Sequence, residues 1–594
     1  MAEQQESRQV QASELAETMA AIAETSQKLL RDYATRGHAN GRDLDPLNLN
    51  RSFLELTSRL MSDPQTLVQA QFSLWQDYLR LWQHTSQKLL GCDPDPVAEP
   101  ERGDRRFRDP AWEENALFDF LKQSYLLTSR WLVDTVNDVD GLDEKSRAKV
   151  DFYTRQFVDA LAPSNFVATN PEVLRATIDS RGENLLKGLR NLLEDLDSGR
   201  GKLAIKMTDV DAFELGRNIA LTPGDVVFQT DLIQLIQYRP TTAEVYERPL
   251  LIVPPWINKY YILDLQPKNS FIKWAVDQGF TVFVISWVNP DSDFAAKSFE
   301  HYMSEGTLAA IDAVRKATGQ KELNAIGYCL GGTLLACTLA HMAAKGDRSV
   351  QAATFFASLV DFEQPGELSV FIDEEQLRAM DQMMAEKGYL DGRAMATTFN
   401  MLRANDLVWS FVINNYLLGK EPFPFDLLYW NSDSTRMPYA MHSFYLRKCY
   451  QENKLIEPGA VTLLDTPIDL RKIDLPVYIL STREDHIAPW TSTYSATQIY
   501  RGEVIFVLAG SGHIAGVINP PTVEKYGYWT GEDLPADPDA WLAKADKHPG
   551  SWWPHWKAWN AAKSGKMVKA RTPGDGKLEV IEPAPGSYVK LRAV

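Results

Sequence analysis

Gly327-Tyr328-Cys329-Leu330-Gly331-Gly332 follows a short apolar run, Leu323 to Ile326, and precedes a helix-forming run, Thr333 to Ala344. This is the strand–tight turn–helix context of a nucleophile elbow, which presents one side chain at the top of a sheet. The nucleophile position holds Cys329 rather than serine. Glycines at 327 and 331 remove Cβ atoms that would clash in so sharp a turn. The free N–H groups at the start of the following helix favour developing negative charge. A thiolate placed there exchanges acyl groups with a thioester at little change in bond energy.

Outward from the elbow, short β-branched runs alternate with helical stretches. Leu250 to Val253, Thr281 to Ser286, Leu323 to Ile326, Ala353 to Ala357, Val477 to Ser481 and Val504 to Leu508 read as strands, and segments such as His301 to Thr318 have helical length. The pattern predicts an α/β domain, a mostly parallel sheet with helices on both faces, over residues 206–594. The rhythm breaks between about 363 and 462, a stretch rich in Met, Phe, Tyr and Trp that includes Met380, Trp409, Phe425 and Trp430. An insertion of that length in an α/β core is expected to be a cap or lid.

Residues 1–205 read as an all-helical N-terminal domain. Trp75, Leu79, Trp82 and Leu90 recur along one segment, and Phe118, Leu121, Tyr125 and Leu132 form a stripe of a second. Both stripes are expected to be core or a partner-facing surface. Trp552, Trp553, Trp556 and Trp559 crowd one short segment and are expected to pack together; Pro573 to Val594 reads as a tail.

The chain has 594 residues and a net charge of −17, which argues against a nucleic-acid partner. Its four cysteines, Cys92, Cys329, Cys337 and Cys449, are widely spaced, with no metal-binding pair and no disulfide framework. A reduced, cytosolic chain without a metal is expected. Met1 to Ser13 is polar and charged, so no secretory signal is expected, and no apolar stretch is long enough to span a bilayer.

A thiol needs a base. His513, in Gly510-Ser511-Gly512-His513-Ile514-Ala515-Gly516, follows the last apolar run. Asp485, in Ser481-Thr482-Arg483-Glu484-Asp485-His486, follows the run before it. Nucleophile, acid and histidine in that order, each on a loop after a strand, is the α/β-hydrolase arrangement. His486 as base and Glu484 as acid are the competing assignments. The oxyanion hole is expected from the N–H of Leu330 and, in the loop Pro254-Pro255-Trp256-Ile257-Asn258, that of Ile257, with Trp256 as the alternative.

These motifs closely resemble those of class I polyhydroxyalkanoate synthases. The resemblance also rests on Ile257-Asn258-Lys259-Tyr260-Tyr261-Ile262-Leu263-Asp264-Leu265, on Phe425-Asp426-Leu427-Leu428-Tyr429-Trp430-Asn431-Ser432-Asp433, on Asn519-Pro520-Pro521 and on Gly550-Ser551-Trp552-Trp553-Pro554. It implies an α/β-hydrolase fold with a cap and a helical N-terminal domain. It implies an acyltransferase that polymerises (R)-3-hydroxyacyl-CoA, with CoA as part of the substrate and leaving group and no other cofactor. It places the triad on Cys329, Asp485 and His513. It further implies a homodimer in the cytoplasm at the surface of polyester granules, in contact with phasins. Ala515 occupies a position that bears on acyl length, its small side chain pointing to 3-hydroxybutyryl-CoA. Arg403, within the insertion, is a candidate contact for a CoA phosphate, with a surface ion pair as the competing reading. A thioesterase or depolymerase on the same fold, and a non-catalytic granule-associated protein, are the rival functions.

Overall fold

The computed structural model describes residues 55–59, 64–101, 103–139, 141–201 and 203–592. The reading of Met1 to Ser13, and that of residues 1–54 as helical, lie outside them. The described residues form two compact units, those up to 209 with 399–423, and residues 210–398 with 424–592.

The first unit contains helices α1 (Pro64–Leu89), α2 (Ala116–Asn137), α3 (Glu144–Ala160) and α4 (Glu183–Ser198). Its interior is partly polar. Asp119, nearly inaccessible, accepts from His84 Nε2 at 2.8 Å, Gln123 Nε2 at 2.9 Å and Lys88 Nζ at 3.0 Å. A carboxylate can be buried there because cations and hydrogen bonds replace its water. The α2 stripe Phe118, Leu121, Tyr125 and Leu132 is half-buried. Trp75, Leu79, Trp82 and Leu90 are exposed, so that stripe is not core within this unit.

Residues 399–423, which the sequence places in the insertion, join this helical unit. Asn184 Nδ2 donates to the Leu417 carbonyl at 2.7 Å, and Tyr416 Oη donates to Asp195 at 2.6 Å. Such contacts join positions more than 200 residues apart and leave no local pattern.

The second unit is built on one eleven-stranded sheet. In chain order its strands are β1 (Gly224–Gln229), β2 (Ile233–Tyr238), β3 (Leu250–Val253), β4 (Val282–Trp287), β5 (Leu323–Tyr328), β6 (Val350–Phe356), β7 (Val477–Thr482), β8 (Val504–Ala509), β9 (Tyr528–Thr530), β10 (Asp546–His548) and β11 (Glu582–Pro583). Their spatial order is β10-β9-β8-β7-β6-β5-β3-β4-β2-β1-β11. The run from β4 to β8 is parallel, flanked by antiparallel strands on both sides. Period-two alternation sends Leu251 and Val253 to one buried face and Leu250 and Ile252 to the other; Val477 and Ile479 are split from Tyr478 and Leu480 in the same way. Both faces are covered, as a parallel sheet requires.

Two features differ from the sequence reading. The stretch taken for a tail is packed: β11 pairs with β1 through Val226 and Glu582, and Val589 is buried. The strands β1 and β2 form an antiparallel pair that no alternation with helices announces. The tryptophan segment does pack: Trp552, Trp553 and Trp556 are buried around Phe271 and Phe356.

Candidate active site

The chain leaves β5 at Tyr328 and enters helix α5 (Leu330–Lys345) at once, with Cys329 as the hinge. Cys329 has φ 52° and ψ −124°, a conformation that a side-chain-bearing residue adopts only under strain. The turn is held by Cys329 N–H donating to the Phe356 carbonyl at 2.8 Å and Gly332 N–H donating to the Cys329 carbonyl at 2.9 Å. A Cβ at 331 would lie within 2.6 Å of the Pro254 carbonyl oxygen, and one at 327 would overlap Gly332 Cα. The two glycines therefore let α5 start directly against β5 and the loop after β3.

His513 Nδ1 lies 2.7 Å from Asp485 Oδ2, and the ring is near enough to the Cys329 sulfur to interact with it electrostatically. With Nδ1–H given to the carboxylate, Nε2 is the nitrogen left to face sulfur. Asp485 is fixed in turn. Its Oδ1 accepts from the N–H groups of Ile487 and Ala488, both at 2.9 Å, and its Oδ2 accepts from Thr482 Oγ1 at 2.9 Å. Of the competing assignments, Glu484 is exposed while Asp485 is buried. His513, rather than His486, carries the ring that meets both Asp485 and Cys329.

Burial alone would lower the imidazole's pKa. The Asp485 carboxylate and the Cys329 sulfur outweigh it and raise it well above the ordinary value. Burial would likewise raise Asp485, but the charge and hydrogen bond of His513, with the Ala488 and Ile487 N–H groups, lower it. The site is thus built to hold an imidazolium beside the Asp485 carboxylate. Burial pushes the Cys337 thiol up to about 12 and Cys449 well above its usual value, so neither competes as a nucleophile. Cys92 is exposed, in the other unit.

The histidine loop is anchored from behind. Trp552 Nε1 donates to the Gly516 carbonyl and Trp553 Nε1 to the Val517 carbonyl, both at 2.9 Å. Tyr328 stacks on the imidazole at 5.7 Å between centroids and donates its hydroxyl to the His513 carbonyl at 3.1 Å. The acid and histidine loops are joined by Glu484 N–H donating to the Ser511 carbonyl at 3.0 Å. Ala515, two residues past His513, is half-buried.

Leu330 N–H is the first donor of α5 and, among the described residues, has no acceptor; the same holds for Ile257 N–H. Its loop follows β3 and lies against the start of α5, as the space around Gly331 requires. Arg403 belongs to the helical unit. It is exposed and pairs with Asp406 at 2.8 Å.

The insertion contributes two side chains that the sequence did not single out. Tyr445 and Tyr450 open and nearly close a π-helical segment, Tyr445–Gln451. Their rings pack edge-on at 5.4 Å, with Phe362 beside Tyr450 at 5.0 Å. Burial first, and the nearby Cys329 sulfur next, push the Tyr450 phenol up; both phenols are neutral donors at neutral pH. Nothing marks these two among the many aromatics of the stretch. Thr482 and Tyr328, by contrast, were within reach of sequence reasoning, since each adjoins a catalytic motif. Among the described residues no group of His, Cys, Asp or Glu is arranged to hold a metal ion, and no helix is long and apolar enough to cross a membrane.

Comparison with known proteins gives two family matches. Residues 103–275 match the N-terminal part of poly-beta-hydroxybutyrate polymerase (PhaC), and residues 249–520 match the alpha/beta hydrolase fold. The first match runs through the helical unit into the opening strands of the sheet. A poly(3-hydroxyalkanoate) polymerase of Methylorubrum extorquens is 50% identical over 92% of this chain and 90% of its own length. The polymerase subunit PhaC of Rhizobium meliloti is 51% identical over 90% and 87%, and that of Cupriavidus necator 44% over 89% and 89%. Among solved structures, a monoacylglycerol lipase of Paleococcus ferrophilus aligns with a TM-score of 0.31 at 11% identity, over 56% of this chain and 99% of the lipase.

Proposed function

The chain belongs to the poly(3-hydroxyalkanoate) polymerase (PhaC) family, and from that premise we propose that it polymerises (R)-3-hydroxyacyl-CoA, chiefly 3-hydroxybutyryl-CoA, with release of CoA and with the acyl group carried on Cys329 Sγ. The observation that carries the mechanism is the hydrogen-bonded pair His513 and Asp485 brought beside Cys329 at a strained elbow.

His513 Nε2 takes the Sγ proton, and the thiolate attacks the thioester carbonyl. The carbonyl oxygen becomes an anion received by the N–H groups of Leu330 and Ile257. CoA leaves as a thiol with the proton held by His513, and the acyl group stays activated on sulfur. The 3-hydroxyl of a further unit then loses its proton to His513, or to Asp485 acting directly, and attacks a thioester carbonyl. An ester bond forms and a sulfur–carbon bond breaks. Cysteine suits this cycle because the thioester retains its activation, whereas serine would hold a more stable oxygen ester.

Water must be excluded for polymer rather than free acid to form. The insertion serves as that cover, a reading supported by the buried Tyr445 and the half-buried Tyr450 near Cys329. By the same reading Ala515 bounds the acyl side chain, and Arg403 offers a charge to a CoA phosphate. The chain acts as a homodimer in the cytoplasm, at a polyester granule surface and in contact with phasins. Incubation of the purified chain with (R)-3-hydroxybutyryl-CoA tests the reading. Free CoA with insoluble polymer is the expected result; free CoA with soluble 3-hydroxybutyrate would make it a hydrolase.

A further inference from the structure

We propose that Thr435 is a positioning residue for the reaction: its hydroxyl sets the direction in which the Ile257 N–H points. The proposal rests on the reading of Ile257 as an oxyanion-hole donor.

The Thr435 hydroxyl is buried within the insertion, just beyond helix Asp426–Ser432. It makes two hydrogen bonds, one on each side of Ile257. Oγ1 donates to the Trp256 carbonyl at 2.5 Å and accepts from the Asn258 N–H at 3.0 Å. The Trp256 carbonyl and the Ile257 N–H belong to one planar peptide group, and this peptide is trans. In a trans peptide the two bonds point in opposite directions. Holding the carbonyl on Thr435 therefore turns the Ile257 N–H away from Thr435 and keeps it from rotating.

The next residue shows how firmly the loop is held. Asn258 has φ 60°, in the left-handed region, and its side-chain Nδ2 donates to the Trp430 and Asn431 carbonyls, both at 3.3 Å. Asparagine tolerates that conformation better than most residues, but it still has to be held there. Thr435 takes the Asn258 N–H, so of these two successive amides only that of Ile257 is left without an acceptor among the described residues. One hydroxyl thus satisfies both neighbours of the donor and leaves the donor itself free. Preorganisation of this kind is what gives an oxyanion hole its effect, because no donor has to reorient as charge develops. The clamp comes from the same insertion that carries Tyr445 and Tyr450, which ties the geometry of the anion site to the seating of the cover.

The test compares Thr435→Val, which keeps the shape and loses the hydroxyl, with Thr435→Ser, which keeps the hydroxyl. Thr435→Val is expected to lower kcat by about one to two orders of magnitude with little change in KM, short of the full loss seen when a donor is deleted. Its rate of Cys329 alkylation should equal that of the unsubstituted chain, because the triad is untouched. Thr435→Ser should recover most of kcat. Equal kcat in all three, or equal losses in Val and Ser, would overturn the proposal. If Thr435→Val reduces the folded yield, Thr435→Ala against Thr435→Ser makes the same comparison. A third chain carries an ester in place of the Trp256–Ile257 amide, which deletes the donor itself. If the ester leaves kcat intact, the oxyanion reading of Ile257 fails. If the ester lowers kcat and Thr435→Val does not, the positioning role alone fails.

Discussion

His513 Nδ1–H donates to Asp485 Oδ2 across 2.7 Å, and Asp485 is itself held by two backbone N–H groups and the Thr482 hydroxyl. The carboxylate cannot turn without leaving buried donors unpaired. It therefore fixes the ring's tautomer as well as its place, and leaves Nε2 to the sulfur.

Asp485→Asn should for that reason cost polymer formation about three to four orders of magnitude, the scale found when a triad carboxylate becomes an amide. Separate measurement of acyl loading and elongation distinguishes two roles. Loading that survives while elongation fails would assign the carboxylate to the incoming hydroxyl. Equal loss would leave it serving the imidazole alone.

The elbow stores strain at Cys329, the residue proposed as nucleophile. Cys329→Gly should abolish acyl loading and polymer formation. It should also relieve a conformation that costs on the order of 1–3 kcal/mol. Part of that gain is offset by the greater freedom of glycine in the unfolded chain, about 0.5–1 kcal/mol. The expected outcome in denaturant unfolding is a chain at least as stable as the original, and a clear loss of stability would contradict the strain argument.

The pH dependence of stability has a fixed sign. The folded His513 titrates above its unfolded value of about 6.5, so its contribution is fully present below that pH and is lost as pH rises through the folded value. Asp485 titrates below its unfolded value of about 3.9; its contribution is present above that pH and disappears as pH falls through the depressed value. The Tm difference between the chain and His513→Gln should accordingly shrink toward alkaline pH. A difference that grows there would reverse the assignment. The same variant should slow alkylation of Cys329 at neutral pH.

Trp552 acts on the site from behind. Trp552→Phe removes the donor to the Gly516 carbonyl, which is buried three residues past His513. An unpaired buried carbonyl costs about 1–3 kcal/mol. Thermal unfolding should show that loss, and alkylation of Cys329 should slow with it as the histidine loop loosens. A stability loss with unchanged alkylation would make the contact purely structural.

Tyr450→Ala tests the cover. Truncating this large, half-buried side chain should destabilise the fold by less than the ~3–5 kcal/mol of a fully buried aromatic. It should also admit water, so that soluble 3-hydroxy acid rises relative to polymer. An unchanged product ratio in the folded variant would remove Tyr450 from the water barrier.

The elbow, the strand runs and the order of Cys329, Asp485 and His513 were legible in the amino-acid sequence because each is a short-range pattern. Glycines mark a turn whose neighbours lie within five residues, and period-two burial marks strands within six. Other features came only from tertiary structure, and all join distant positions. Asp485 was separated from Glu484 by burial, which depends on the whole sheet. The presumed tail became β11 because the edge of β1 was open to receive it. Residues 399–423 joined the helical unit through side-chain amides and a phenol whose partners lie more than 200 residues away. Tyr445, Tyr450 and Thr435 took their places beside Cys329 and Ile257 by packing that no sequence spacing encodes. Local propensity and periodicity determine which elements form; which side chains meet is decided by how distant segments pack and pair their buried polar groups.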